Sequence, residues 1–191
     1  MKWNEYLAIV ISVASVVSSG FYTYTYVNLQ KTEFFNRIHS EYSTQDMQDA
    51  FDNLESFRDL HKDNYANKFI ELKRLVRKNL ADKKTTSSTF KLGRQLDISR
   101  RKITHWYGKI VMFVELGYLR HENILMFPGK TRAKHALSLL IPITTKLAEN
   151  SSPESTTEHE KIINGVKKIF GIIEENDNGI NKKNKKTKNE L

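Results

Sequence analysis

The chain has 191 residues, 31 Lys and Arg against 22 Asp and Glu for a net charge of +9, and no cysteine. That length supports one modest core rather than two comfortable domains, and without cysteine there is neither a disulfide framework nor a thiolate metal site. The positive excess is local: residues 83–146 hold thirteen basic and three acidic side chains. Such a block attracts the phosphates of nucleic acid or of anionic lipid, the plainer alternative being a solvated basic face.

A short flank, 1–5, precedes residues 6–29, which carry no charged side chain. About 20 largely apolar residues suffice to cross the hydrocarbon of a bilayer, so 6–29 reads as a transmembrane helix. Trp3 and Tyr6 at one end, and Tyr22, Tyr24 and Tyr26 toward the other, are the expected membrane-interface residues, because amphipathic rings settle at the head-group level. Lys31, Arg37 and the basic region beyond outweigh Lys2 with Glu5. The positive-inside tendency then predicts a single-pass protein of the plasma (inner) membrane with its C-terminal domain in the cytoplasm. Two rival readings of the same stretch are a cleaved signal peptide, with Val17 to Gly20 near the cleavage site, and a buried core helix.

Residues 30–148 read as a helical domain. Phe34, Phe35, Ile38 and Tyr42 at helical spacing predict that the membrane helix runs on to about 42. Ser43 is the expected cap of a second helix ending near Leu60, with Asp46 in its first turn and Met47, Ala50, Phe51, Leu54, Phe57 and Leu60 on its apolar face. Asp63 is the expected cap of a third, whose stripe is Tyr65, Phe69, Leu72, Val76 and Leu80. After a polar connection, a short helix at 89–97 and a long one capped by Ser99 are expected. The band Ile103, Trp106, Tyr107, Ile110, Val111, Phe113, Val114 and Leu116 is wide enough to be buried on more than one side. Gly117 is a natural C′ residue. Residues 121–127 fit either a short helix or a strand. A helix at 131–148 contains Pro142, which must kink or interrupt it. Residues 149–157 read as a linker, 158–175 as an amphipathic helix, and 176–191 as a disordered basic tail.

No Gly-rich phosphate loop, nucleophile elbow or kinase signature occurs, and none of the six histidines pairs with another at the i, i+4 spacing of a helical zinc site. The expectation is no catalytic site, no metal and no cofactor. One local pattern is sharper. From Thr89 to Trp106, a small residue at Gly93 with apolar Leu92, Leu96, Ile98, Ile103 and Trp106 is similar to a helix-turn-helix, with 121–127 as its wing. The candidate face for an anionic partner is Lys91, Arg94, Arg100, Arg101, Lys102 and Lys109. The first expectation is an all-α protein, a transmembrane helix continuing into a cytoplasmic bundle of about five helices, acting as an interaction or scaffolding protein. Its basic face would meet a protein partner or anionic lipid. The alternative is a membrane-tethered winged-helix regulator binding DNA through 89–127.

The layout also resembles an uncharacterised bacterial family of small single-span membrane proteins with a helical domain of unknown function. Three pieces carry the resemblance. Residues 38–50 have the family's Ser/Thr-containing helix start and the Met47-x-x-Ala50 core. Residues 101–119 have its Arg-led helix, with Trp106, Phe113, Gly117 and Leu119 in the apolar run. Residues 136–142 have its helix with a late proline. Together they cover roughly 5–148. The resemblance implies a membrane-anchored helical domain and supplies no catalytic residues. The basic stretch around 83–109 departs from it.

Overall fold

The computed structural model describes residues 3–83, 85–150 and 153–172, and these are all-α. The expected disordered tail, 176–191, lies outside the described residues. Helix α1 spans Trp3–Tyr42, α2 Gln45–His61, α3 Tyr65–Ala81, α4 Ser88–Glu115, α5 His121–Met126, α6 Gly129–Glu149 and α7 Pro153–Ile169; a 3-10 turn, Lys62–Asn64, joins α2 to α3.

Helix α1 runs unbroken through 40 residues, as the spacing of Phe34, Phe35, Ile38 and Tyr42 predicts. The cap of α2 is Thr44, not Ser43: its side chain accepts a hydrogen bond from the Met47 N–H at 3.3 Å. Asp63 does not cap α3 either. It sits inside the 3-10 turn, and α3 begins at Tyr65 without a side-chain cap.

The largest departure is α4. Where a short helix, a turn and a second helix capped by Ser99 were expected, one 28-residue helix runs from Ser88 to Glu115, capped by Ser87, which accepts from the Phe90 N–H at 3.2 Å. Two physical reasons keep it whole. The buried positions Gly93, Leu96, Arg100, Ile103, Tyr107 and Ile110 recur at three- and four-residue spacing straight through the supposed turn. Asp97, at the supposed turn, pairs forward with Arg100 and Arg101, which are its i+3 and i+4 neighbours on one helical face. Ser99 is buried within the helix and accepts from Asn53 Nδ2 at 3.3 Å. Leu92 and Ile98, expected as packing residues, are exposed, as are Leu60, Leu80 and Leu116 at the ends of their helical stripes. Gly93 does lie at a helix contact, but against α3: a Cβ there would come within 2.6 Å of Val76 Cγ2.

Helix α4 ends as its sequence predicts. Gly117 has φ +73°, and the Tyr118 and Leu119 amides both donate to the Phe113 carbonyl, at 2.9 and 3.0 Å. The segment read as either helix or wing strand is helix α5, so no wing strand exists among the described residues. Helix α6 continues through Pro142 without interruption. Helix α7 opens at Pro153, within the stretch read as a linker. Proline's fixed φ suits the first helical position.

Helix α4 is the hub of the bundle. Helices α2, α3 and α7 pack against it, α6 closes against α3 and α7, and only the last third of α1 joins, seating on α2 and α4. At the α4–α7 crossing the helices approach through Gly165, where a Cβ would meet Val111 Cγ1 at 2.6 Å. Tyr65 bridges α3 to α6: its hydroxyl donates to the Leu139 carbonyl, one residue beyond Ser138, whose usual i+4 donor is removed by Pro142.

Candidate functional site

Two parts of the molecule carry the residues that charge and hydropathy single out: α1, and the polar face of α4.

Every described side chain of α1 from Trp3 to Val27 is exposed, and burial along the helix begins only at Asn28. Trp3 and Tyr6 stack with ring centroids 6.5 Å apart, while Tyr22, Tyr24 and Tyr26 are 62–73 % exposed, the Tyr26 hydroxyl accepting from Gln30 Nε2 at 3.2 Å. Ser12, Ser15, Thr23 and Thr25 return their hydroxyls to the carbonyl four residues back, which satisfies polar groups that an apolar surrounding would penalise. Among the described residues, α1 is the one helix long and apolar enough to cross a membrane. Beyond Asn28 the helix becomes part of the bundle. Ile38 is buried, the Trp106 Nε1–H donates to the Ile38 carbonyl at 3.2 Å, Tyr42 lies 4.5 Å from Trp106, and Phe34 lies 5.3 Å from Phe113. As the α4 partner advances from Trp106 to Phe113, the α1 partner retreats from Tyr42 to Phe34. The C-terminal end of α4 therefore points back along α1 toward its apolar half.

The six cations expected to form one face do not act as one. Arg100 is buried, 3 % exposed, and donates to Asp97 through Nε at 3.3 Å and Nη2 at 3.2 Å, its Nη1 being left without a hydrogen bond. Arg101 pairs with the same carboxylate, and Lys73 of α3 approaches it to 3.9 Å. Burial alone would raise the Asp97 pKa, but Arg100, Lys73 and Arg101 together outweigh it and hold the carboxyl below its usual range. Burial lowers the Lys73 pKa in turn, against the pull of Asp97. Lys102 reaches Asp46 of α2 at 3.0 Å, and Lys109 reaches Glu41 of α1 at 2.9 Å. Two of the six, Lys102 and Lys109, are thus clamps between helices, while Arg100 and Arg101 pair within α4 with Asp97, which Lys73 ties to α3. Helix spacing in the sequence places Asp97 beside Arg100 and Arg101, whereas Asp46 and Glu41 are 56 and 68 residues from their lysines.

Lys91 and Arg94 remain directed outward. They line a groove of about 430 Å³ between α2 and α4, with Asp49, Asn53, Phe90 and Gln95. Across its floor Gln95 Nε2 donates to Asn53 Oδ1 at 2.8 Å. A second groove, of about 610 Å³, was not foreseen. Arg132 lies over the rings of Tyr42 and Phe127, at 5.6 and 5.8 Å, next to a close His135–Glu55 pair. Each of these residues reads in the sequence as stripe or surface; only the docking of α1, α2 and α6 assembles them. No group of three or more acidic or histidine side chains suited to a metal ion occurs among the described residues.

No family model, no curated protein and no solved structure matches the chain.

Proposed function

We propose that the chain is a membrane-anchored interaction protein: α1 crosses a bilayer once, and the bundle stands on the cytoplasmic side as a scaffold for an acidic protein partner. The observation that carries this reading is the apolar half of α1. More than twenty residues of helix, from Tyr6 to Val27, are covered by nothing in the bundle. An apolar surface that long and continuous marks a membrane or partner site in a soluble protein, and hydrocarbon matches both its length and its all-round character. The orientation rests on the positive-inside tendency of Lys31, Arg37 and the basic bundle. The resemblance to single-span bacterial proteins agrees with it.

The antiparallel seating of α4 on α1 favours protein over lipid as the partner of Lys91 and Arg94. They lie about 20 residues up α4 from Phe113, roughly 30 Å at 1.5 Å per residue. Attraction between exposed charges is screened within about 8–10 Å, so anionic head groups at the base of the bundle are out of reach. The other four cations are paired within the fold.

Two measurements test the reading. Alkaline carbonate extraction of membranes holding the full chain should leave it in the pellet; release of full-length protein into the soluble fraction overturns the anchor. Because the chain has no cysteine, Lys91→Cys is a unique label. In intact cells it should resist an impermeant maleimide and react only after permeabilisation. Labelling from outside would reverse the orientation.

A further inference from the structure

Building on the membrane-anchored reading, we propose that the turn between α4 and α5, carrying Leu116 and Tyr118, is a second membrane contact that holds the bundle against the bilayer in one orientation.

Leu116 is 62 % exposed and Tyr118 43 % exposed, although both sit at the end of a helix whose preceding turns form the core. Nothing in the bundle requires an apolar residue at Leu116: it is the C-cap residue of α4, its amide is satisfied by the Met112 carbonyl, and Gly117 makes the reversal. A polar side chain would serve the turn as well.

The position of the turn supplies the occupant. The Tyr118 ring lies 5.3 Å from Phe34, and the Phe34 ring is also 5.3 Å from Phe113. Phe34 is five residues beyond Leu29, the end of the uncharged stretch, or about 7.5 Å along α1. The head-group region on each side of the hydrocarbon is about 5–8 Å deep. The uncharged stretch 6–29, about 36 Å long, fits about 30 Å of hydrocarbon by tilting; the Tyr22, Tyr24 and Tyr26 rings then sit just beneath the head groups and Tyr118 stands at head-group level. Leu116 lies three residues beyond Phe113 on a helix that points toward the apolar half of α1, so it reaches about 4.5 Å closer to the hydrocarbon. Tyrosine is enriched at this level, where its ring is apolar and its hydroxyl wet. Arg120, exposed two residues later, has a stem long enough to lay along the interface with its charge in the head groups.

The contact is apolar in origin. The charges of this corner are mixed, Glu115 at the end of α4, Arg120 and Glu122 on the turn and α5, and Lys31, Glu33 and Arg37 on α1. It therefore forms on zwitterionic lipid and survives salt. A rigid α1 gives the bundle its height; the α4–α5 turn fixes its rotation about α1, and so the direction in which Lys91 and Arg94 face.

The experiment uses the full chain in phosphatidylcholine vesicles with single cysteines carrying an environment-sensitive fluorophore. Val13→Cys reports the span, Leu116→Cys the turn, and Lys91→Cys the far end of α4. In a Trp3→Phe background, fluorescence of Trp106 checks the fold of each. We expect Val13→Cys to be quenched by a nitroxide deep in the acyl chain. Leu116→Cys should be quenched by a nitroxide at the head group, with iodide quenching from water reduced about threefold relative to Lys91→Cys. The result should be the same in 1 M salt. If Val13→Cys escapes the deep quencher, the anchor fails and the contact with it. If Val13→Cys is quenched while Leu116→Cys matches Lys91→Cys, the anchor stands and the second contact is overturned. Quenching of Leu116→Cys that needs anionic lipid, or vanishes in salt, also overturns it, because the contact would then be electrostatic.

Discussion

Asp97→Asn removes the one carboxylate shared by Lys73, Arg100 and Arg101. The cost falls mainly on Arg100. The side chains of Arg101 and Lys73 are 68 % and 23 % exposed and can turn to water, but that of Arg100 is 4 % exposed, with Nη1 already lacking a hydrogen bond. Breaking a buried pair costs about 3–5 kcal/mol because it strands a charge. The 16 % exposure of Asp97 and the two mobile partners place this case at the low end, about 3 kcal/mol. For a chain of this size that corresponds to a fall in Tm of about 6–12 °C. The assay is thermal unfolding of the full chain in detergent, followed by Trp106 fluorescence in a Trp3→Phe background, since the chain has only two tryptophans. Adding Arg100→Met should restore most of the loss, because an apolar stem in a buried site needs no counter-ion. The pH dependence has a fixed sign. The folded pKa of Asp97 lies below its ordinary 3.8, so its contribution is present above about 3.8 and is lost as the pH falls through the folded value. Asp97→Asn should flatten that acid limb. A loss under about 1 kcal/mol, or a double variant whose losses simply add, would refute the argument that Arg100 depends on Asp97.

The exposed clamps should behave differently. Lys102→Ala and Lys109→Ala each break a part-exposed ion pair and should each change stability by less than about 1 kcal/mol in the same unfolding assay. Gly165→Ala drives a Cβ into Val111; overpacking there should cost about 1–3 kcal/mol, with a positive coupling to Val111→Ala in a double-mutant cycle. Tyr65→Phe removes the hydrogen bond to the Leu139 carbonyl and should cost about 1 kcal/mol at neutral pH. Burial pushes the Tyr65 pKa up to about 12, so its contribution is whole below pH 10 and is lost as the pH rises toward 12; Tyr65→Phe should unfold less steeply across that window.

The sequence alone determined what depends on short-range pattern. The uncharged run 6–29 specifies an apolar helix, the spacing of Phe34, Phe35, Ile38 and Tyr42 carries it on to the bundle, and Gly117 stops α4 because only a residue tolerant of positive φ closes that cap cheaply. Stripes at three- and four-residue spacing gave the helical class and most of the core. What the sequence misjudged is α4. A local resemblance to helix-turn-helix covers 89–106, but whether a chain turns at Asp97 depends on what lies on either side. Here α2, α3 and α7 pack against α4, its buried positions run from Phe90 to Val111, and a break at Asp97 would expose a face they bury. Tertiary structure decided the rest of the basic block. Composition counts Arg100, Arg101, Lys102 and Lys109 as charge; helix spacing alone sets Asp97 beside the two arginines, but Asp46 and Glu41 meet Lys102 and Lys109 only once the helices dock. It also decided that Tyr118 stands beside Phe34. Charges and exposed side chains act over a few ångströms through space, and sequence separations of 56 to 84 residues carry no record of which ones will meet.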